Sequence, residues 1–188
     1  MKITELTEKL AARLPKRLGG PLLDHVKALR ELIEGELEAA RKSPDKAAKL
    51  AVAKKIVTTC SAVCTTVGVE PIPLADFPIL TTVQVLMVGS IMRVSGREIS
   101  GKAIAEFLGA LGMNIGAGLV LREGARAAIK MLPGFGSAIS GAIAGGATYT
   151  LGRAATAYFI DGVPLPEVRG FFRKAGPKPG SKPAPPAK

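Results

Sequence analysis

The sequence predicts an all-α protein: a compact bundle of about six helices with a glycine-rich hairpin and a disordered basic C-terminal tail. Three observations carry this. Hydrophobic residues fill 47% of 188 positions while aromatics fill 4%, with no Trp, so the bulk comes from Ala, Gly, Leu, Ile and Val. That suits helices in close contact better than a sheet built on aromatic cross-strand pairs. No segment alternates apolar and polar residues with period two, whereas apolar residues recur at intervals of three and four. Residues 131–151, MLPGFGSAISGAIAGGATYTL, hold no acidic or basic side chain and are crowded with small residues. Ser137, Gly141 and Gly145 recur every four positions, and Ala138, Ala142 and Gly146 do the same one step along. On a helix these form two adjacent ridges with almost no side chain, which lets another backbone approach closely. Such a helix serves a helix–helix or membrane contact, or the core of a soluble bundle.

The elements follow in order. Ile3, Leu6, Leu10 and Leu14 share a helical face that Pro15 and Gly19-Gly20 end. Pro21 opens an amphipathic helix with Leu22, Val26, Leu29, Ile33, Leu37 and Ala40 as its stripe. Ser43-Pro44-Asp45 reads as N-cap, first helical position and first-turn acid. The next helix is basic up to Lys55 and uncharged from Ile56 to Val69, and Gly68 with Glu70-Pro71-Ile72-Pro73 is expected to stop it. Asp76 can cap a further uncharged helix, Phe77 to Met92, that holds Gln84 in its middle and ends at Gly96. Another starts near Ser100 and carries Ile104, Phe107, Leu108, Leu111 and Ile115, with Gly112 and Gly116 as a second small-residue pair. Leu132-Pro133-Gly134 turns the chain into the glycine-rich helix, which runs through Gly152 and Tyr158-Phe159 to about Ile160 before Asp161-Gly162 breaks it. The organisation is then residues 1–42 as amphipathic helices, 43–165 as an apolar Gly/Ala-rich domain and 166–188 as a basic Pro/Lys-rich tail.

The net charge is +11, the mean hydropathy +0.28, and no acid follows Glu167, while Arg169, Arg173, Lys174, Lys178, Lys182 and Lys188 do. Such a tail can meet anionic lipid or an acidic protein face. Nucleic acid is not expected, because no aromatic residue after Phe172 could stack on bases. Cys60 and Cys64, four apart, have no second pair or His cluster to complete a metal site, and the one histidine, His25, is remote. They read as reduced, buried thiols in a cytosolic protein. The N-terminus lacks the apolar run of a secretory signal. The uncharged runs 56–69, 77–92 and 107–121 are too short to span about 30 Å of hydrocarbon at 1.5 Å per residue. Only Phe135–Leu151, continued past Arg153, comes close. The stretch Gly96-Arg97-Glu98-Ile99-Ser100-Gly101-Lys102-Ala103 nearly matches a phosphate-binding loop, but Ala103 lacks the hydroxyl that holds Mg²⁺ and no strand precedes it. It reads instead as a turn between helices. With no nucleophile elbow and no carboxylate pair in an apolar run, no enzyme activity, catalytic residue, cofactor or metal is expected.

Glu70-Pro71-Ile72-Pro73-Leu74-Ala75-Asp76-Phe77, then Gln84-Val85-Leu86-Met87, Gly96, Leu132-Pro133-Gly134 with Gly136, Thr148-Tyr149-Thr150-Leu151-Gly152-Arg153-Ala154 and Tyr158-Phe159 follow in order. Over residues 46–160 this pattern resembles a bacterial family of unknown function that includes the YcjF-like membrane proteins and domains accompanying Era-like small GTPases. The resemblance implies an all-helical, membrane-associating domain and assigns no catalytic residue. No GTPase domain is attached here, so a small GTPase would bind in trans, with residues 3–41 as its contact. The expected function is a non-enzymatic accessory domain on the cytoplasmic face of the membrane, coupling a GTPase or other partner to it and forming a homo-oligomer. The alternatives are a self-assembling scaffold or pore built on the Ser137/Gly141/Gly145 ridge, and a soluble adaptor whose basic tail grips an acidic partner. Asp76, Gln84, Gly112, Gly116, Pro133, Gly134, Ser137, Gly141, Gly145 and Gly152 are the candidate contact residues.

Overall fold

The computed structural model describes residues 34–69, 77–111 and 136–175, and all regular structure among them is helical. Residues 34–42 form α1, Lys46–Val69 α2, Phe77–Val94 α3, Gly101–Ala110 α4 and Gly136–Thr156 α5. A π-helical turn, Ala157–Asp161, continues α5, and Leu165–Ala175 forms α6.

The start of α2 differs in detail from the expected cap. The Asp45 carboxylate accepts the N–H groups of Ala47 at 2.8 Å and Ala48 at 3.3 Å, while Ser43 Oγ accepts only the N–H of Asp45 at 3.1 Å. Asp45 is the capping side chain, because a carboxylate one residue from the helix is a stronger acceptor for orphan N–H groups than a hydroxyl further back. Gly68 does not stop α2 either. It lies inside the last turn, pressed against α5.

The core is a three-helix stem. Helices α2 and α5 run antiparallel, since Gly141 meets Val69 and Thr65, Gly145 meets Thr65 and Ser61, and Gly152 meets Val57. Helix α3 runs alongside α5 in the same direction, with Gln84 at Thr148 and Met87 at Gly152. Ile56, Cys60 and Cys64 from α2, Val83, Met87 and Ile91 from α3, and Leu151, Ala154 and Ala155 from α5 are all buried.

After α3, Gly96 takes φ +93° and closes the helix with its N–H on Arg93 O at 2.9 Å, a left-handed turn that a side chain would strain. Ser100 Oγ then caps α4 by accepting the Ala103 N–H at 3.3 Å. Helix α4 ends at Ala110, where Leu111 forms the C-cap at ψ 0° with its N–H on Phe107 O; Ile115 lies outside the described residues. At this same end of the stem, Phe107 packs on Phe159 and Tyr158 with ring centroids 5.2 and 5.4 Å apart, and the Arg97 guanidinium lies over both rings.

The expected boundary at 165/166 falls at the first turn of a helix. Gly162, at φ +76°, turns the chain, and α6 follows with Val168 fully buried and Arg169 Nε donating to Ala110 O. Pro166 is tolerated there because the first helical turn needs no intrahelical N–H partner. The basic tail, as a segment without structure, therefore cannot begin before residue 176. Helix α1 is likewise part of the bundle: Leu37 and Ala40 are buried, and Glu38 pairs with Arg93. The expected helices before residue 34, the Leu132-Pro133-Gly134 turn of the glycine-rich hairpin, and residues 176–188 lie outside the described residues.

Candidate functional site

Among the described residues the closest helix–helix approach is the seam between α2 and α5, and glycine makes it. A Cβ on Gly141 would stand 2.6 Å from Val69 Cγ2 and 2.8 Å from the Thr65 carbonyl oxygen. One on Gly145 would run into Thr65 Oγ1 and come within 3.1 Å of the Ser61 carbonyl oxygen. One on Gly152 would meet Val57 Cγ2 at 2.5 Å and Met87 Sδ at 3.0 Å. From the opposite side, Gly68 receives Gly141 Cα and Ala144 Cβ, each 2.9 Å from where its own Cβ would be. The Gly141/Gly145 ridge is thus engaged within the chain, by α2. Ser137 lies in the first turn of α5, on the same ridge. Asp76, Gly112, Gly116, Pro133 and Gly134 lie outside the described residues. Gln84 reaches across to α5, donating from Nε2 to Thr148 Oγ1 at 3.0 Å, which satisfies a fully buried hydroxyl in an apolar setting. The α2 half of the seam, Ser61, Thr65 and Gly68, carries no pattern that sequence reasoning could single out beyond small size.

The second ridge points the other way. Ala138, Ala142 and Gly146 are exposed, and nothing lies within 4 Å of a Cβ built on Gly146. In the uncharged half of α2, Thr58, Ala62 and Thr66 are exposed, with Val69 at its end. In both helices these positions lie one step of the helical wheel past the seam, on the side away from α3. Together they make one flat surface of small side chains. Val69, Ile139 and Tyr149, at 43%, 44% and 42% exposure, are the large apolar residues on it. Its threonine hydroxyls are closed off: Thr58 Oγ1 donates to Lys54 O and Lys55 O, Thr66 Oγ1 to Ala62 O, and Thr150 Oγ1 to Gly146 O.

Charge is confined to one end of the stem. No acidic or basic residue occurs from Ile56 to Val69, Phe77 to Met92 or Gly136 to Gly152. Lys46, Lys49, Lys54 and Lys55 in the first half of α2, Arg93 at the end of α3, and Arg153 and Asp161 beyond the α5 stretch all fall at the same end, because α2 runs against the other two helices. There Lys46 pairs with Asp161 at 2.8 Å and Lys55 with Glu36 at 2.5 Å. The Glu38 carboxyl is held below its ordinary value, first by the hydrogen bond from Arg93 and then by the charges of Arg93, Arg41 and Lys42.

Both cysteines are buried and unbridged, and burial pushes the Cys60 thiol far above its ordinary value, with Cys64 beside it adding to the shift, which disfavours a Cys60 thiolate at neutral pH. Among the described residues no group of three or more His, Cys, Asp or Glu could hold a metal ion. The Gly96–Ala103 stretch is the turn and cap between α3 and α4. Helix α2, rather than the α5 stretch, is long and apolar enough to cross a membrane by length and composition, with 33% of its apolar window buried in the bundle. No protein-family model, curated protein or solved structure matches the chain.

Proposed function

We propose that this protein is a non-enzymatic, membrane-associated helical accessory domain that brings a partner, with a small GTPase bound in trans as the leading candidate, to the cytoplasmic face of a membrane. One observation carries the reading. The stem is free of charge over some 14 to 17 residues in each of three helices, roughly 20 to 25 Å at 1.5 Å per residue, and every charge of the stem sits at one end. A water-bathed bundle has no need to strip charge from the outward faces of its helices; a bundle resting against hydrocarbon does. The length falls short of about 30 Å of hydrocarbon, which fits association without a full crossing. The resemblance to the YcjF-like proteins supports the same reading and is the source of the GTPase partner.

Flotation of the full chain with liposomes, with and without an alkaline carbonate wash, tests it. The protein should rise with the vesicles; protein left wholly in the aqueous fraction would overturn the proposal. The second reading, a self-assembling scaffold or pore, draws on the outward Ala138/Ala142/Gly146 ridge, since α2 occupies the other. It calls for discrete oligomers without lipid, which Ala142→Leu would alter.

A further inference from the structure

We infer that the flat α2/α5 surface is the part of the molecule that contacts the bilayer, lying in the plane of an anionic lipid interface with Lys54 and Arg153 among the headgroups. This rests on the membrane reading above and deepens it by naming the face and the lipid chemistry. Three independent features of the surface point to lipid instead of a protein partner.

The first is hydrogen bonding. In hydrocarbon each unsatisfied polar group costs several kcal/mol. The hydroxyls of Thr58, Thr66 and Thr150 already donate to carbonyls of their own helices, so they turn methyl groups outward. Among these threonines the surface can lose water without orphaning a donor, and Tyr149, beside the cationic edge, holds the phenol that would remain at the headgroups.

The second is charge complementarity. The surface carries no anion anywhere, and its charged edge is cationic. Because Gly152 packs on Val57, Arg153 and Lys54 flank the same end of the seam, and both are exposed. The neighbouring Lys55 is held by Glu36. A cationic edge beside an uncharged plate complements an anionic headgroup layer over acyl chains.

The third is the distribution of bulk. Tyr149 lies one turn from Arg153, where an amphipathic ring sits at headgroup level, while Ile139 and Val69 mark the far end. In the sequence Glu70 follows Val69 directly, and a carboxylate next to the last residue of α2 opposes end-on insertion of that helix into the bilayer interior. Lying flat keeps both ends of the stem at the interface and sinks the plate by about 5 to 10 Å.

The test places an environment-sensitive dye on a cysteine introduced by Ala62→Cys, Ala142→Cys or, as control, Glu106→Cys on exposed α4, the native thiols being buried. Vesicles are phosphatidylcholine alone or with phosphatidylglycerol. On the mixed vesicles the dye at positions 62 and 142 should shift to the blue to a similar degree while that at 106 stays unchanged. Lys54→Gln and Arg153→Gln should each weaken binding to the mixed vesicles about five-fold and leave binding to neutral ones unaltered. If the chain floats but 62 and 142 are silent, or 106 responds equally, the face is wrong and membrane association stands. A concentration-dependent shift without lipid means a second copy covers the plate and overturns the inference. Failure to float at all removes the functional reading itself.

Discussion

Glu38 shows how single residues hold the charged end together. Its carboxylate binds Arg93 at the end of α3 and lies near Arg41 on its own helix. The folded pKa is lowered from 4.5, so the unfolded state binds the proton more readily. The stabilisation is therefore complete above pH 4.5 and is lost as pH falls through the folded value. Amide protection factors in residues 34–42 should fall on acidification below that point, and Glu38→Gln should show the lowered protection at every pH. The pair was not legible in the sequence: both residues sit in ordinary charged positions 55 apart, and only the docking of α1 on α3 brings them together.

Among the elements, α5 states the contrast most sharply, because its two small-residue ridges have opposite surroundings. Gly141→Ala drives a methyl into the Thr65 carbonyl, a backbone atom that cannot swing aside, so the helices must part. Thermal or urea unfolding should show a loss of about 1 to 3 kcal/mol. Gly146→Ala meets open space and replaces the poorer helix former, so it should gain up to about 1 kcal/mol. The four-residue spacing made the ridges readable in advance as places of close approach. It could not name the partner, because spacing on one helix says nothing about which distant helix supplies the opposing groove. Gly68 shows the converse. A glycine before Glu-Pro-Ile-Pro reads as punctuation, and only the packing of Gly141 Cα against it reveals it as half of the seam. The end of α4 and the π turn at Ala157–Asp161 also left no sequence signal, being set by Leu111 at the C-cap and by Gly162 closing the turn on Ala157 O.

On the scale of the whole molecule, the all-helical class was legible because periodicity, composition and glycine spacing agreed. The docking of α1 and α6 was not, since it rests on few residues: Leu37 and Ala40 are buried in one, and in the other Val168 is buried while Arg169 bonds to Ala110 O of α4. Pro164, Pro166 and the run of basic residues made α6 look like the start of a tail. Truncation separates the two. Ending the chain after residue 165 removes buried Val168 and the bond to Ala110 O and should cost about 2 kcal/mol in a melting experiment. Ending it after residue 175 should leave the melting temperature unchanged.

The glycine seam also dictates timing during synthesis. The residues it joins lie between 72 and 95 positions apart, Val69 with Gly141 and Val57 with Gly152. At roughly 5 to 20 residues per second, a ribosome delivers the second half some 4 to 19 seconds after the first. For part of that interval α2 is clear of the ribosome while the face that receives α5 has nothing to cover it, so the joint closes late in the emergence of the chain and after the pairing of α2 with α3 can begin.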